Sequence, residues 1–539
     1  MRIESIQLQR KSPFMKDYLQ QDKDIMRFFD YQPLLDFKNR LQDVYKRTYK
    51  RKELSHALYE MNQTWGAEEQ ALHNIERLQD EHAVVIIGGQ QAGLLSGPTY
   101  TINKIISIIQ LANQQEKELE VPVIPVFWIA GEDHDFAEIN HVNIVENGHV
   151  KKHQLNQFVQ ERIPVSDIQI DSPLAKKWID ELFVHLQETK NTKSLYETVH
   201  RCLNKSKTYV DFFARVINDL FSDEGLVLVD SNHSYLRKIE SDYFKVLINQ
   251  QENLAKEIYE TTHSVRQSGY ALSIEPKVDD AHLFYHFNGE RILLSRETED
   301  KWVGKLDDLV LTTDELNNIA EQKPHLLSNN VLSRPLMQEM LFPTLAFIGG
   351  WGEISYWSVL KNAFHILDLK MPPVVPRLSF SYVDRKIAKQ IEKYSLHYEK
   401  IISQGIYEER VNWLNSQPAY PTNVVAEQIK KDIKEIHRPL RKIAEKISPN
   451  LKELSETNVD YIQKNIDFLA RSIKNELENT YKEELLNFAA IQMHLYPKNQ
   501  LQERTLNILQ FLNDYNKSFL KELSQETLPF TEEHFLVFL

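Results

Sequence analysis

Residues 83–104 read AVVIIGGQQAGLLSGPTYTINK. A continuous apolar run, Val84–Ile87, stops at Gly88-Gly89 and passes through a glycine-containing loop. The chain then becomes amphipathic, with Ile102, Ile105, Ile106, Ile109 and Leu111 at helical spacing over roughly 99–116. A short run with no polar alternation is the pattern of a strand buried on both faces. The next apolar run, VPVIPVFWIAG (121–131), supplies a second such strand. Strand, glycine loop, helix and strand within about fifty residues define a β-α-β unit, which places the chain in the α/β class with a parallel sheet.

Working outward, GLVLVD (225–230) reads as a third strand, and FPTLAFIGG (342–350) and MPPVVPRLS (371–379) as a fourth and fifth. The prolines of the last assign it to an edge or a loop. Residues 150–220 have a mainly helical pattern and 265–305 a β-rich one, with Asn288-Gly289 at the turn of the hairpin LFYHF-NG-ERILLS (283–295). Both read as insertions in an α/β domain spanning 1–380, whose first 80 residues are expected to be helical. Residues 381–505 read as a separate helical domain. Ile429, Ile433, Ile436, Leu440, Ile443 and Ile447 form one narrow apolar seam, and Val459, Ile462, Ile466, Leu469, Ile473 and Leu477 a second. The break at Ser448-Pro449 suits a helical hairpin or a bent coiled coil, and Pro439 is expected to kink the first seam. The apolar tail, 506–539, is expected to pack back on the folded domains.

Composition narrows the function. The 64 basic residues against 77 acidic ones give a net charge of −13, which argues against a general nucleic-acid binder. The one basic cluster, Lys46, Arg47, Lys50, Arg51 and Lys52, reads as a solvated helix face. Cys202 is the single cysteine, so no intrachain disulfide forms; this suits a reducing, cytoplasmic setting, and the thiol is expected to be inert. No signal core opens the chain, and no apolar run approaches the ~18–20 residues of a membrane span. Only 15 residues are glycine, yet Gly88, Gly89, Gly93 and Gly97 fall within ten residues and Gly349, Gly350 and Gly352 within four. Glycine used this sparingly marks backbone geometry or the close approach of a ligand.

Three constellations carry potential chemistry. In the first, 88–104, the glycines with Gln90, Gln91, Thr99, Tyr100 and Lys104 stand between a strand and a helix N-terminus, where anions bind. The alternative is a tight turn for helix–sheet packing. Neither the Walker A nor the G-x-G-x-x-G pattern is complete. In the second, Glu132, Asp133, His134 and Asp135 directly follow a buried strand, the place where open parallel sheets bind ligands and crowded ionisable groups shift one another's proton affinities. Glu138 and His141 lie one and two turns on if a helix follows, but no tight metal signature results and no metal is assigned. The third comprises Arg334 and Gln338, one helical turn apart, then Gly352, Glu353 and Tyr356 after the second glycine loop. Arg377 suits a two-point carboxylate or phosphate clamp, or else an ion pair.

Several long, ordered segments together resemble the BshC family, the cysteine ligases of bacillithiol biosynthesis. They are GGQQAGLLSGPTYTINKIISII (88–109), PVFWIAGEDHDFAEINHV (125–142), RPLMQEMLFPTLAFIGG (334–350), GEISYW (352–357) and PPVVPRLS (372–379). Trp351 departs from the proline usual in that family's Gly-Pro-Gly-Glu stretch. The resemblance implies a Rossmann-like core with two connecting-peptide insertions and a C-terminal α-helical coiled coil that makes a homodimer. It also implies an amide bond between the carboxyl group of L-cysteine and the amine of glucosaminyl-malate. A free carboxylate must be activated first, normally by ATP as an acyl phosphate or acyl adenylate. Substrate anions are then expected on the 88–104 loop with charge from Lys104 and Arg377, and Asp133, His134 and Asp135 are candidates for binding or deprotonating the amine. A nucleotide-sugar or glycosyl transferase, and a coiled-coil scaffold without catalysis, are the rival readings.

Overall fold

The computed structural model describes residues 1–8, 12–146, 148–159, 162–304, 309–417 and 421–539. They form two compact units, Met1–Asp384 with Gln500–Leu539, and Arg385–Asn499. Residues 500–505, expected in the helical domain, therefore belong to the first unit.

The first unit is built on five parallel strands, β1 (Val84–Gln90), β2 (Val123–Ile129), β3 (Val227–Asp230), β4 (Thr344–Gly349) and β5 (Val374–Pro376), in the order β5-β4-β1-β2-β3. The proline-rich β5 is an edge strand, where its missing N–H groups cost no ladder bonds. The chain winds outward from β1 to β3, then returns to the other side of β1 for β4 and β5. That reversal puts a crevice at the carboxyl ends of β1 and β4, the topological switch point where such sheets bind ligands. Helix α1 (Tyr100–Leu119) crosses from β1 to β2, and its first three turns are buried almost all round. Its outer face is covered by the chain's C-terminal segment, to which Gln110 donates a 2.6 Å bond at the Leu523 carbonyl.

Gly88 and Gly89 are explained by this packing. A Cβ at Gly88 would lie 2.8 Å from the Ile348 carbonyl oxygen of β4, and one at Gly89 2.6 Å from that of Trp128 in β2. Both glycines let the neighbouring backbones approach.

The first insertion opens with a hairpin, His141–Glu146 against His149–Gln154, and continues as helices Ser172–Val184, Thr192–Asn204 and Tyr209–Leu220. The helix considered after Asp135 is only one turn, Phe136–Ile139, so His141 begins a strand instead of extending a helical face. The second insertion carries a five-stranded antiparallel sheet. In its hairpin Phe287 pairs with Glu290 across Asn288 (φ 51°) and Gly289 (φ 83°), the geometry of a two-residue turn with both central φ positive.

Two expectations need correction. The N-terminal 80 residues are mostly helical, but they start with a strand, Arg2–Ile6. It pairs with His534–Phe538, which also pairs in parallel with Phe380–Val383. The basic cluster is a solvated face only in part, at the exposed Lys46 and Lys52. Arg47 bonds buried Glu339 at 2.7 Å, Arg51 donates to the carbonyls of Leu78 and Glu81, and Lys50 pairs with Asp242 at 2.6 Å.

In the second unit, helices Thr422–Ile436 and Arg438–Ile447 fold back antiparallel on Pro449–Thr480. Lys430–Asp467 (2.9 Å), His437–Asn458 (3.1 Å) and Glu445–Lys452 (2.6 Å) step along one register, so the pairing is within the chain. The kink expected at Pro439 is a break at His437, with Pro439 in the next helix's first turn, where its missing N–H is not needed. Much of the seam stays exposed: Ile436 is 78% exposed, Leu440 60%, Ile443 57% and Ile447 66%. The side chain of Leu477, the last residue of the second seam, lies outside the described residues. Among the described residues no helix is long and apolar enough to cross a membrane.

Candidate active site

The crevice at the switch point is a cavity of about 490 Å³. The end of β1 contributes Gly89, Gln90 and Gln91, and α1 contributes Tyr100 and Lys104. Ala130, Asp133 and Glu138 reach it from the loop after β2. Helix α2 (Arg334–Leu341) presents Arg334, and the start of α3 (Trp351–Trp357) presents Trp351, Gly352, Glu353 and Tyr356 after Gly350. Ser273, Ile274 and Val331 add part of the wall, and Arg377 and Arg504 complete the lining. A methyl group at Gly352 would meet nothing within 4 Å, so this glycine, unlike Gly88 and Gly89, borders open space.

Lys104 is buried, and its ammonium group donates to the Gly89 carbonyl at 2.6 Å, to Gln90 Oε1 at 3.1 Å and to the Glu353 carboxylate. An ammonium has three donors, and these acceptors use all three. Burial pulls the Lys104 pKa down, and Glu353 offsets part of the effect. Glu353 also accepts the Gly350 N–H at 2.9 Å. The pair therefore ties α1 to the start of α3, and Lys104 has no free donor for a substrate anion. Arg377 corrects the expected clamp in the same way. Its guanidinium grips Glu503 at two points, 2.7 and 2.6 Å, and donates to the Leu378 carbonyl. Burial would raise the Glu503 carboxyl, but Arg377 outweighs it and holds it at about 2.

Two arginines remain for a ligand. Arg334 donates one bond, to the Tyr356 hydroxyl, and stands 3.9 Å from Glu353. Arg504 is exposed at the cavity and has no ion pair or side-chain bond among the described residues. Sequence reasoning passed over Arg504, which lies in the polar stretch QERT (502–505) with no motif around it.

The acidic loop divides by role. Asp133 lines the cavity; it accepts from Gln91 Nε2 at 2.6 Å and from the His134 N–H at 2.8 Å. Glu132 is buried behind it, held by Arg237 at 2.6 Å and by the Asn329 N–H at 3.2 Å. His134 turns toward the second insertion, with Nδ1 3.1 Å from Arg291. Asp135 is exposed and precedes the Phe136–Ile139 turn. Glu138, weighed from the sequence only as a metal ligand, belongs to the lining.

Of the other sequence candidates, Gly88, Gly93, Gly97, Thr99 and Gln338 lie outside the lining. Thr99 is buried with its N–H on the Leu506 carbonyl, and Asn507 donates to the carbonyls of Leu95 and Gly97. The glycine loop is thus sealed by the C-terminal segment, and only its two ends meet the cavity.

A doubly wound parallel sheet with a charge-lined cleft at its switch point defines a Rossmann-like small-molecule enzyme. The family model for the N-terminal Rossmann-like domain of BshC of bacillithiol biosynthesis matches residues 1–378, and that for its C-terminal coiled-coil domain matches 380–539. A protein of Oceanobacillus iheyensis is 40% identical, with all of both chains covered. One of Bacillus cytotoxicus is 41% identical over 97% of each chain, and one of a Geobacillus species 39% over all of both. Each bears the name "Putative cysteine ligase BshC". The chain belongs to the BshC family of bacillithiol biosynthesis.

Proposed function

We propose that the cleft joins the carboxyl group of L-cysteine to the amine of glucosaminyl-malate, making the amide bond of bacillithiol. The observation that carries this reading is that unpaired guanidinium donors and carboxylate acceptors line one cavity. Arg504 and Arg334 offer guanidinium donors, which suit the two carboxylates of a malyl group. Asp133 and Glu138 offer acceptors for an ammonium group in the same cavity. ATP is the activating co-substrate in this reading, and the amine attacks the activated carboxyl carbon. The test is a reaction of the purified protein with cysteine, glucosaminyl-malate and individual nucleotides, followed by mass spectrometry. Bacillithiol together with ADP or AMP is the expected result. Dependence on a sugar nucleotide, or no amide product with any nucleotide, would overturn it.

The exposed seam of the second unit supports a further part of the reading, a homodimer formed by two such hairpins. Replacing Leu440 and Ile443 with Glu is expected to convert a dimer to a monomer by sedimentation. A monomeric wild-type protein would refute it. The protein is expected to work in the cytoplasm, where its single thiol, Cys202, stays reduced.

A further inference from the structure

We propose that Arg291 is a positioning residue that fixes His134 as its Nε2–H tautomer, so that Asp133, and not His134, takes the proton from the substrate ammonium. The proposal rests on the ligase reading of the cleft. Its basis is the direction of one hydrogen bond. Arg291 Nη1 lies 3.1 Å from His134 Nδ1, and a guanidinium only donates, so Nδ1 accepts and the ring proton sits on Nε2.

The guanidinium has no freedom to turn away. Its side chain is buried, Nε donates to Ser328 Oγ at 3.0 Å and Nη2 to the Asn329 carbonyl at 2.6 Å. Its plane sits 3.7 Å over the Phe284 ring, which also meets the His134 ring edge to face. A proton on Nδ1 would therefore point at a fixed N–H and set two cations together. The charged groups around His134 are Arg291 and Arg162, which oppose its protonation, and Asp133 and Asp135, which favour it. Burial and Arg291 prevail and lower the imidazole pKa. Nε2, already carrying its proton, cannot act as a base either.

Asp133 has the remaining capacity. Its carboxylate lines the cavity and, among the described residues, accepts two close bonds, from Gln91 and from the His134 N–H, with the Arg291 guanidinium 4.0 Å away. A carboxylate offers about four lone-pair sites. In the proposed step the ammonium N–H bond breaks, its proton passes to Asp133, and the electron pair remains on nitrogen. That pair forms the bond to the activated carboxyl carbon, phosphate or AMP leaves with the electrons of the broken C–O bond, and the second proton lost from nitrogen passes to the leaving group.

The test uses the full-length protein with ¹⁵N-labelled histidine, His134 being assigned by its loss in His134→Gln. The wild type is expected to show an unprotonated Nδ1 and a protonated Nε2 and to titrate below the ordinary value of about 6.5. Arg291→Met should move the titration up toward that value while burial still holds it below, and Arg291→Lys should restore part of the wild-type behaviour. A protonated Nδ1, or a wild-type ring that titrates near that value, overturns the tautomer assignment. In the ligase assay Asp133→Asn should lower kcat by at least ~100-fold and His134→Gln by no more than ~10-fold. A His134→Gln variant as inactive as Asp133→Asn makes His134 the base. Full activity of Asp133→Asn removes Asp133 from the role. If Arg504→Ala is also fully active the ligase reading of the cleft falls, while the tautomer measurement stands apart from it.

Discussion

Arg377 and Arg504 show how little residue type says about role. Both are arginines at one cavity, but the Arg377 guanidinium is buried against Glu503 at two points and Arg504 is free to meet a ligand. Arg377→Ala would leave the Glu503 carboxylate buried and half-paired, so thermal melts should show a loss of about 3–5 kcal/mol. Arg504→Ala should leave the melting temperature unchanged. It should raise KM for glucosaminyl-malate about 10–100-fold, as expected for losing a hydrogen bond to a charged group. Equal effects of the two substitutions on stability would refute this division. The buried trio behind Asp133 makes a second prediction. Glu132 and Glu240 share the single guanidinium of Arg237. Burial, reinforced by Glu132, pushes Glu240 up to about 7 despite Arg237. A carboxyl raised on folding contributes stability that is full below its unfolded value, about 4.3, and is lost as pH climbs through 7. Glu240→Gln should therefore be close to neutral at pH 5 and stabilising at pH 8, as read by denaturant unfolding at the two values. An equal effect at both would show that Glu240 does not hold a proton in the folded state.

At the scale of elements, the parts that announce themselves are those whose partners lie nearby in the chain. The buried runs at 84–87 and 123–129, with a helix between them, identify a β-α-β unit because a strand covered on both faces needs no polar alternation. Asn288-Gly289 identifies its hairpin because both residues tolerate positive φ. The hairpin 141–154 went unread because its second strand, HVKKHQ, is largely polar and exposed. The site was readable in part. Its loops follow from the strand ends, but which side chains are free depends on partners more than a hundred residues away, as with Lys104 and Glu353 or Arg377 and Glu503. The glycine loops illustrate the difference. Their clustering pointed to a ligand, whereas Gly88 and Gly89 are required by the Ile348 and Trp128 carbonyls, and of these loop glycines Gly352 alone would place a Cβ in open space. Gly88→Ala and Gly89→Ala should each destabilise the protein by about 1–3 kcal/mol, the cost of overpacking a core. Gly352→Ala should keep the melting temperature and lower ligase activity by intruding on the cavity. A destabilised Gly352→Ala, or two silent substitutions in β1, would reverse the assignment.

In the first unit as a whole, the chain's two ends are part of the site's support. HFLVF (534–538) was legible only as an apolar tail, because strands 2–6 and 380–383, which flank it, are remote in sequence. Its register sets His534 between Ser379 and Ser381, at 2.8 and 2.9 Å. Burial holds that imidazole well below its ordinary range, at about 4, so it bonds both hydroxyls as a neutral ring. Ser379 follows Arg377 by two residues, and Glu503, which grips Arg377, also accepts from Asn103 of α1 at 2.7 Å. The C-terminal strand thus anchors the segment that carries Arg377, while residues 502–507 bring Glu503, place Arg504 in the cavity and seal the glycine loop. Deleting 534–539 would remove the central strand of three and leave two strands with unpaired edges, and an unpaired backbone group in a buried place costs about 1–3 kcal/mol. The truncated protein should melt well below the wild type, and limited proteolysis should cut first near residues 1–8. It should also lose ligase activity at temperatures where β1 and β2 remain folded, as judged by hydrogen exchange. A truncated chain with wild-type melting and activity would show that this strand is dispensable and that the site rests on the parallel sheet alone.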